Sequence, residues 1–299
     1  MELYAPKYVK DFVCIAHRCR HSCCIGWEID VDPETAEHYA RLNEGYGKTI
    51  AESIEDWGET PHFRLTADER CPHLDPNGLC RIILACGEDH LCEICREHPR
   101  FYHDTVRGKE MGIGMACEEA CRIILSSDVY GEFVWMEDLN GDVEACGFDA
   151  LSHRARMYEI LSDRSLPYSG RLSVLREEYG NSLVPHTDME WRELLASLEY
   201  LDESHRAAFS CISSTVEVPA EWELPLERAL AYFIFRHCSD AQDGEELAAG
   251  LGFALLCERL IASLAVTSRA QGFEGLVELA RTVSEELEYS EENTEAIKG

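Results

Sequence analysis

The stretch CIAHRCRHSCC, residues 14–24, places four cysteines within eleven positions. Eight more cysteines follow before residue 150, so twelve of the fifteen in the chain lie in its first half. Thiolates gathered in this way form disulfides, bind metal ions or act as nucleophiles. We therefore predict an N-terminal half organised around its sulfur atoms. The eight are Cys71, Cys80, Cys86, Cys92, Cys95, Cys117, Cys121 and Cys146.

The compartment decides between these uses of sulfur. The first residues, MELYAPKYVKDF, lack the basic region and apolar core of a secretory signal. The apolar stretch 251–266 is interrupted by Glu258 and Arg259 and is shorter than a membrane span of about 20 residues. The sequence thus predicts a cytoplasmic protein with no membrane partner. Cytosolic thiols stay reduced, and the cysteine total is odd, so metal binding is favoured over a disulfide framework.

The charge of the chain is extreme. Its 57 acidic and 27 basic residues give a formal net charge of −30. Such a chain repels phosphate backbones, so we expect no nucleic-acid partner. It attracts a basic or lysine-bearing surface instead. The alternative interpretation is that the acidic residues serve solubility alone.

The composition changes near residue 150. Residues 1–146 are predicted to be a cysteine-cluster metal-binding region, and residues 147–299 an acidic helical domain. In the second half, six segments repeat apolar residues at helical spacing, and Thr187 with Glu190 fits a capping box. We therefore predict a mainly α fold, in which an irregular cysteine-rich half packs on a C-terminal helical bundle.

Local signals place a few elements in the first half. We expect a helix at about residues 33–44 with Asp32 as its N-terminal cap, and another at about 117–126. Residues 75–78, Asp-Pro-Asn-Gly, predict a turn. That turn would allow the two cysteines at the ends of segment 71–80 to approach each other.

Sulfur ligands suit zinc and iron–sulfur clusters, and both kinds of centre need four ligands. The neighbours Cys23 and Cys24 cannot easily bind one metal ion together, so the surplus indicates either two sites or one site with additional buried thiols. The spacing does not match a zinc ribbon, because only Cys92 and Cys95 form a C-x2-C pair. It does not match the radical triplet C-x3-C-x2-C either, because no cysteine stands at the third position.

Four ordered blocks carry a more specific signal. They are DFVCIAHRCRHSCCIGWEIDVD (11–32), CPHLDPNGLCRI (71–82), LCEICREHPR (91–100) and MACEEACRIIL (115–125). On these blocks the chain resembles the flagellin lysine-N-methylase family, within the wider group of cysteine-cluster proteins. The second half resembles that family only in its general helical character.

This resemblance implies a centre held by some of the cysteines in the family pattern, with a [4Fe–4S] cluster favoured and zinc as the alternative. It also implies methylation of lysine ε-amines on flagellin or another lysine-bearing filament protein, with S-adenosylmethionine as the donor. The pattern maps onto Cys14, Cys19, Cys23, Cys24, Cys71, Cys80, Cys95 and Cys117. The pattern does not place Cys86, Cys92 and Cys121, which are alternative ligands or buried apolar side chains.

No catalytic residue and no donor site can be named from the residues. A Rossmann-like strand, glycine turn and helix is missing, and we expect the nearest string, residues 112–114, to be a loop. Arg96 and Arg100 flank His98-Pro99 close to a predicted ligand. They are candidate cofactor contacts, either to cluster sulfur or to the carboxylate of the donor, with plain salt bridges as the alternative.

Other side chains have two interpretations each. Trp27 and Tyr39 either form an aromatic surface for a methylammonium group or pack in the core. Four histidines near the predicted ligands could replace a cysteine as a metal ligand. They are His17, His21, His73 and His98.

Two functions from different classes follow. The first is a lysine methylase with a thiolate-bound centre. The second is a non-catalytic metal protein, structural or redox, whose acidic helical half is an interaction module. The oligomeric state is left open.

Overall fold

The computed structural model describes residues 1–56, 60–140, 147–179 and 187–299. Contacts divide the chain into two units: residues 13–100, here called the cysteine unit, and residues 1–12 with 101–299, here called the sheet–helix unit. The boundary predicted from the sequence, at residue 146, differs from this division. Residues 101–140 fall in the sheet–helix unit because they supply strands that pair with each other and with the start of the chain. Cys146 lies outside the described residues.

The elements are numbered in chain order. The strands are β1 (Glu2–Pro6), β2 (Ile54–Glu55), β3 (His62–Phe63), β4 (Arg100–Thr105), β5 (Gly108–Ile113) and β6 (Phe133–Asp138). The helices are α1 (Pro33–Ala40), α2 (Gly45–Glu52), α3 (Arg81–Cys86), α4 (Glu93–Glu97), α5 (Glu118–Ser126), α6 (Ala150–Ser162), α7 (Tyr168–Tyr179), α8 (Asp188–Ser197), α9 (Glu203–Phe209), α10 (Ala220–Cys238), α11 (Gly244–Thr267), α12 (Gly272–Glu288) and α13 (Glu291–Lys298). The prediction of a mainly α chain is confirmed.

Short elements build the cysteine unit around a small apolar core. Asp32 caps α1 by accepting a hydrogen bond from the Thr35 amide at 2.9 Å, as the sequence predicted. The helix ends at Ala40 rather than near residue 44. Its last amides, up to Leu42, bond three residues back, a tight geometry that closes a helix.

The predicted turn between two cysteines is present. The Asp75 carboxylate accepts hydrogen bonds from the amides of Asn77 at 2.8 Å and Leu79 at 2.9 Å. Gly78 has a φ of 77°, which glycine adopts without strain. Leu74 and Cys80 then form an isolated β-bridge, so the segment folds back on itself.

The sheet–helix unit contains a four-stranded sheet in the order β4-β5-β1-β6. β1 runs parallel to β5 and antiparallel to β6. The expected loop at 112–114 is wrong, because Gly112 and Ile113 end β5. β5 is almost wholly buried, so it lacks the alternation of apolar and polar residues by which a strand is recognised in a sequence. Gly112 is required there, since an added Cβ would lie 2.2 Å from the Phe101 ring.

Long helices supply most of the core of this unit. α11 is the described helix that could cross a membrane by length and composition, but 89% of its apolar window is buried inside the protein. It therefore packs as a core helix, beside α10 and α12. The predicted capping box at Thr187 and Glu190 is confirmed. So is the helix expected at 117–126, which is α5.

Candidate metal centre in the cysteine unit

Five thiols of the cysteine unit lie close enough for the charge of one to shift the pKa of another. Burial, with a smaller contribution from the charges of three neighbouring cysteines, raises the pKa of Cys71 to about 12. These five side chains are here called the thiol cluster. Its members are Cys24, Cys71, Cys80, Cys92 and Cys95.

Backbone pairing brings the first two members together. Ile25 and Arg70 form an antiparallel bridge. The Cys71 amide donates to the Cys24 carbonyl at 2.8 Å, and the Gly26 amide donates to the Glu69 carbonyl at 2.8 Å. The loop after residue 14 is thereby fixed against the start of the segment 71–80.

Helix starts position two further members. Cys80 is the N-cap residue of α3 and Cys92 that of α4. Burial raises the pKa of Cys80, while hydrogen bonds from the amides of Ile83 and Ile82 favour its thiolate. Amides that bond to the thiolate in this way are typical of sulfur sites that hold a negative charge.

The Cys92–Cys95 pair spans one turn of α4. The Cys95 thiol donates a hydrogen bond to Cys92, which lowers the pKa of Cys92 and raises that of Cys95. A hydrogen bond from Cys23 likewise lowers the pKa of Cys24 to about 7, although burial opposes the shift. Two of the five sulfurs therefore favour the thiolate form that binds metal.

The remaining predicted ligands lie outside the thiol cluster, although Cys23 donates a hydrogen bond to its member Cys24. Cys14 and Cys23 are exposed and Cys19 is half-buried, on the loop that leads to Cys24. Cys117 belongs to the sheet–helix unit, where it is the N-cap residue of α5. The structure thus brings Cys24, Cys71, Cys80 and Cys95 of the predicted set into one cluster.

The cluster also contains Cys92, which the family pattern does not place and which the sequence leaves as an alternative ligand or a buried side chain. Its C-x2-C spacing to Cys95 was the signal that could have found it. Of the other two cysteines outside the family pattern, Cys121 is fully buried in the sheet–helix unit. Cys86 is half-buried and packs against the core of the cysteine unit.

The chemistry of the donor set fits a centre that binds through sulfur. All five members are thiols, none of the described cysteines forms a disulfide, and soft sulfur suits zinc and iron–sulfur clusters. Their side chains do not converge on one point, however. Among the described residues, no three His, Cys, Asp or Glu side chains are arranged to hold a metal ion.

Histidine ligands are less well placed. His73 is fully buried and both of its ring nitrogens are engaged, with Tyr46 Oη at 2.9 Å and Ser53 Oγ at 2.8 Å. Burial lowers the pKa of His73 to about 4 and that of His98 to about 4. His73 is therefore a neutral core residue that links α2 to the cluster loop.

The aromatic and arginine candidates each make defined contacts. Tyr39 is fully buried and donates to the His90 carbonyl, so core packing is the correct interpretation for it. The Trp27 indole donates to the Cys23 carbonyl at 2.8 Å. Arg96 and Arg100 are on the surface, where Arg96 pairs with Glu97 at 3.7 Å and Arg100 donates to the Arg96 carbonyl at 3.3 Å.

Comparison with known proteins gives three relatives from Salmonella. A segment of 130 residues, 40% of the chain, is 31% identical to the lysine-N-methylases of Salmonella choleraesuis and Salmonella typhimurium. The segment spans 32% of each of them, so the chain matches about a third of their length. It is 30% identical to the flagellar biosynthetic protein FliU of Salmonella muenchen and covers 75% of that protein. No family model and no solved structure matches.

Proposed function

Because the chain belongs to the lysine-N-methylase and FliU family, we propose that it is a protein lysine N-methyltransferase that acts in the cytoplasm. Family membership rests on the match to FliU, and it confirms the resemblance drawn from the four sequence blocks. The methylase activity is carried over from relatives that are about three times as long as the matched segment. The proposed substrate is flagellin or another lysine-bearing filament protein, in keeping with the name of FliU.

The thiol cluster is the single observation within the molecule that carries the proposal. A [4Fe–4S] cluster, or zinc as the alternative, would be held there by Cys24, Cys71, Cys80 and Cys95, with Cys92 as an additional candidate. Either centre needs four sulfur ligands, so binding would require these side chains to turn toward one point on which they do not converge in the structure. When bound, the centre would supply a cross-link between loops that share only a small apolar core.

The reaction itself sets requirements on the protein. The neutral ε-amine of lysine attacks the methyl carbon of S-adenosylmethionine. The new C–N bond forms as the C–S bond breaks, the thioether leaves with the electron pair, and the amine proton passes to a base. The ammonium and the sulfonium are both cations, so the net charge of −30 favours the approach of substrate and donor. Arg96 and Arg100 remain the proposed contacts for the donor carboxylate.

The second candidate function, a non-catalytic metal protein, is favoured by the form of the sheet. Among the described strands, β1 pairs parallel with β5 and antiparallel with β6, and Gly112 is packed inside a strand. A Rossmann-like donor site needs several parallel strands with a glycine turn at their carboxyl end. Under this reading the centre stabilises the cysteine unit and no methyl group is transferred.

The test combines metal analysis with an activity assay. Protein purified anaerobically is analysed for iron, zinc and sulfide. It is then incubated with S-adenosylmethionine and unmethylated flagellin, and transfer is followed by mass spectrometry. The proposal expects bound metal and methylated lysines. Loaded protein that adds no methyl group to the filament protein would defeat the methylase and leave the non-catalytic reading.

A matched pair of variants assigns the activity to the cluster. Cys80→Ser removes a sulfur from the thiol cluster, whereas Cys257→Ser removes one that is fully buried in α11. We expect Cys80→Ser to lose bound metal and methyl transfer together, while Cys257→Ser keeps both. Equal losses in the two variants would mean that general destabilisation is responsible, not the cluster.

A further inference from the structure

The backbone of His73 lies between two members of the thiol cluster. The His73 amide donates a hydrogen bond to the sulfur of Cys71. Its carbonyl accepts a hydrogen bond from the Arg81 amide at 2.8 Å, and Arg81 directly follows Cys80. One residue therefore holds the two cysteines at the ends of segment 71–80 in a fixed relation.

The side chain of His73 is anchored at both ring nitrogens. Nδ1 lies 2.9 Å from Tyr46 Oη, and Nε2 lies 2.8 Å from Ser53 Oγ. Tyr46 belongs to α2, and Ser53 is the C-cap residue of the same helix. Two hydrogen bonds thus attach the segment that carries the cysteines to α2.

The direction of these hydrogen bonds follows from Ser53. Its hydroxyl donates to the Ile50 carbonyl at 2.6 Å, in the last turn of α2. A hydroxyl has one proton, so Ser53 Oγ can only accept from His73, which places the ring proton on Nε2. Nδ1 is then an acceptor, and Tyr46 donates to it. One neutral tautomer completes this set of hydrogen bonds, here called the His73 network, whose members are Ile50, Ser53, His73 and Tyr46.

The His73 network is enclosed in the apolar core of the cysteine unit. His73 is fully buried, and its ring packs edge-on against Phe63 of β3, with the ring centroids 4.9 Å apart. A buried donor or acceptor that loses its partner carries a large penalty, because no water replaces it. The ring is therefore held in one orientation, and the backbone on either side of it is held with the ring.

The Tyr46 end of the network is close to the sulfur atoms. Burial raises the pKa of Tyr46, and the charges of Cys80 and Cys71 raise it as well, so its hydroxyl lies within electrostatic range of both thiols. Arg81 forms a hydrogen bond with the same hydroxyl and opposes these effects. Residues of α2 and of the cysteine segment thus meet beside the thiol cluster.

A fixed backbone bears directly on metal binding. Within the described part of the chain, the thiols of the cluster do not converge on one point, so their side chains would have to turn. Rotation about a Cα–Cβ bond redirects a sulfur atom without moving the backbone. When the backbone is already ordered, less conformational freedom is lost on binding, and this preorganisation raises affinity.

We propose that His73 is a positioning residue of the metal centre, which holds the backbone at Cys71 and Cys80 in place for binding. Both of its ring nitrogens are engaged within the protein, so it acts through these cysteines and not as a ligand. The inference rests on the proposed function, because it needs a centre in the thiol cluster. It adds a residue that sets the affinity of that centre.

The test is cobalt binding by the full chain, purified without metal and kept reduced. Co²⁺ takes tetrahedral sulfur sites as Zn²⁺ does, and thiolates bound to it give a charge-transfer absorption. Its affinity is measured by competition with a chelator. We expect His73→Phe, which keeps a ring but loses both nitrogens, to weaken binding by about 10- to 100-fold, as is typical when a partner outside the ligand shell is lost. The absorption at saturating cobalt should be unchanged.

Three further variants separate positioning from general destabilisation. His73→Gln keeps a donor for Ser53 and should restore part of the affinity. Tyr46→Phe should weaken binding in the unaltered protein but have little further effect in His73→Phe, because the two act through one network. The matched control is Phe63→Leu, which loosens the packing against the same ring and leaves the hydrogen bonds in place. It should lower the stability of the unit and keep the cobalt affinity.

Three results would overturn the inference. They are an unchanged affinity in His73→Phe, an equal loss in Phe63→Leu, and an altered absorption at saturating cobalt in His73→Phe, which would make the ring a ligand. The methylase is tested separately by methyl transfer. The expected affinity changes without transfer would keep the positioning role and defeat the methylase, whereas transfer with equal affinities in all variants would do the reverse.

Discussion

Cysteine has different surroundings in the two units. In the cysteine unit, five thiols from three separated segments influence the pKa of one another. In the sheet–helix unit, Cys121, Cys238 and Cys257 are each fully buried, and burial raises their pKa values. The latter behave as small apolar side chains. The residue type alone therefore does not identify a ligand, because exposure and neighbouring sulfur decide its role.

The two units also differ in the size of their apolar cores. Among the described residues, the core cluster of the cysteine unit contains ten buried side chains, and that of the sheet–helix unit fifty. Burial of apolar surface is the main favourable term in folding, so the cysteine unit has less of it to offset its chain entropy. A bound centre in the thiol cluster would make up the difference. This contrast yields four predictions.

The largest effect is expected from metal removal. Anaerobic chelation of the reduced full-length protein should expose residues 13–100 to protease while the long helices of residues 220–288 stay protected, because structural metal sites contribute folding free energy directly. Cleavage sites are mapped by mass spectrometry with and without chelator, and restored metal serves as the control. Equal protection of both units after complete removal would show that the ten-residue core is sufficient.

The second-largest effect is expected when a core side chain of the sheet–helix unit is truncated. Phe253 of α11 is fully buried against Phe233 and His237. Phe253→Ala should lower the free energy of unfolding of the helices by about 3–5 kcal/mol, through lost burial and the cavity left behind. The control is Leu224→Ala on α10, which is 42% exposed and should change stability by less than about 0.5 kcal/mol.

Both are measured by urea unfolding followed by helical circular dichroism. Similar midpoints for the two variants would mean that the helical core is not close-packed. The metal content of Phe253→Ala should remain that of the unaltered protein, since the side chain lies in the other unit.

A smaller effect separates the two kinds of cysteine. Cys257→Ser places a hydroxyl in an apolar interior and should destabilise the helices by about 1–3 kcal/mol. Cys80→Ser should leave the helical transition unchanged and reduce bound metal instead. The two readouts are urea unfolding and metal analysis. A Cys257→Ser protein that loses metal without losing stability would contradict the division of roles.

The smallest effect is a pH dependence within the sheet–helix unit. The His205 Nδ1 atom lies 2.6 Å from Glu286 Oε1, and this hydrogen bond raises the pKa of His205. The protonated form is favoured in the folded state, so its stabilisation is complete below about pH 6.5 and is lost as the pH rises through the folded-state pKa. The melting temperature should therefore fall slightly across that range. His205→Gln should abolish this part of the slope, and an unchanged slope would exclude the pair as its cause.

Local signals in the sequence were sufficient for several elements. Asp32, Thr187 and the Asp75 turn were all predicted, because caps and turns depend on side chains within a few residues. The strand at Gly112 was not, because its burial on both faces removes the alternating pattern. The hydrogen bonds that anchor the His73 ring were not predicted either, since they join residues that are distant in the chain and share no spacing.

The sequence by itself determined the family resemblance, the helical second half and the abundance of cysteines in the first half. These follow from residue type and short-range spacing, which are present in the chain before it folds. Only the tertiary structure decided that Cys92 joins Cys24, Cys71, Cys80 and Cys95 while Cys121 is an isolated core residue. The reason is physical: the pKa and the neighbours of a thiol depend on burial and on charges brought near by distant segments.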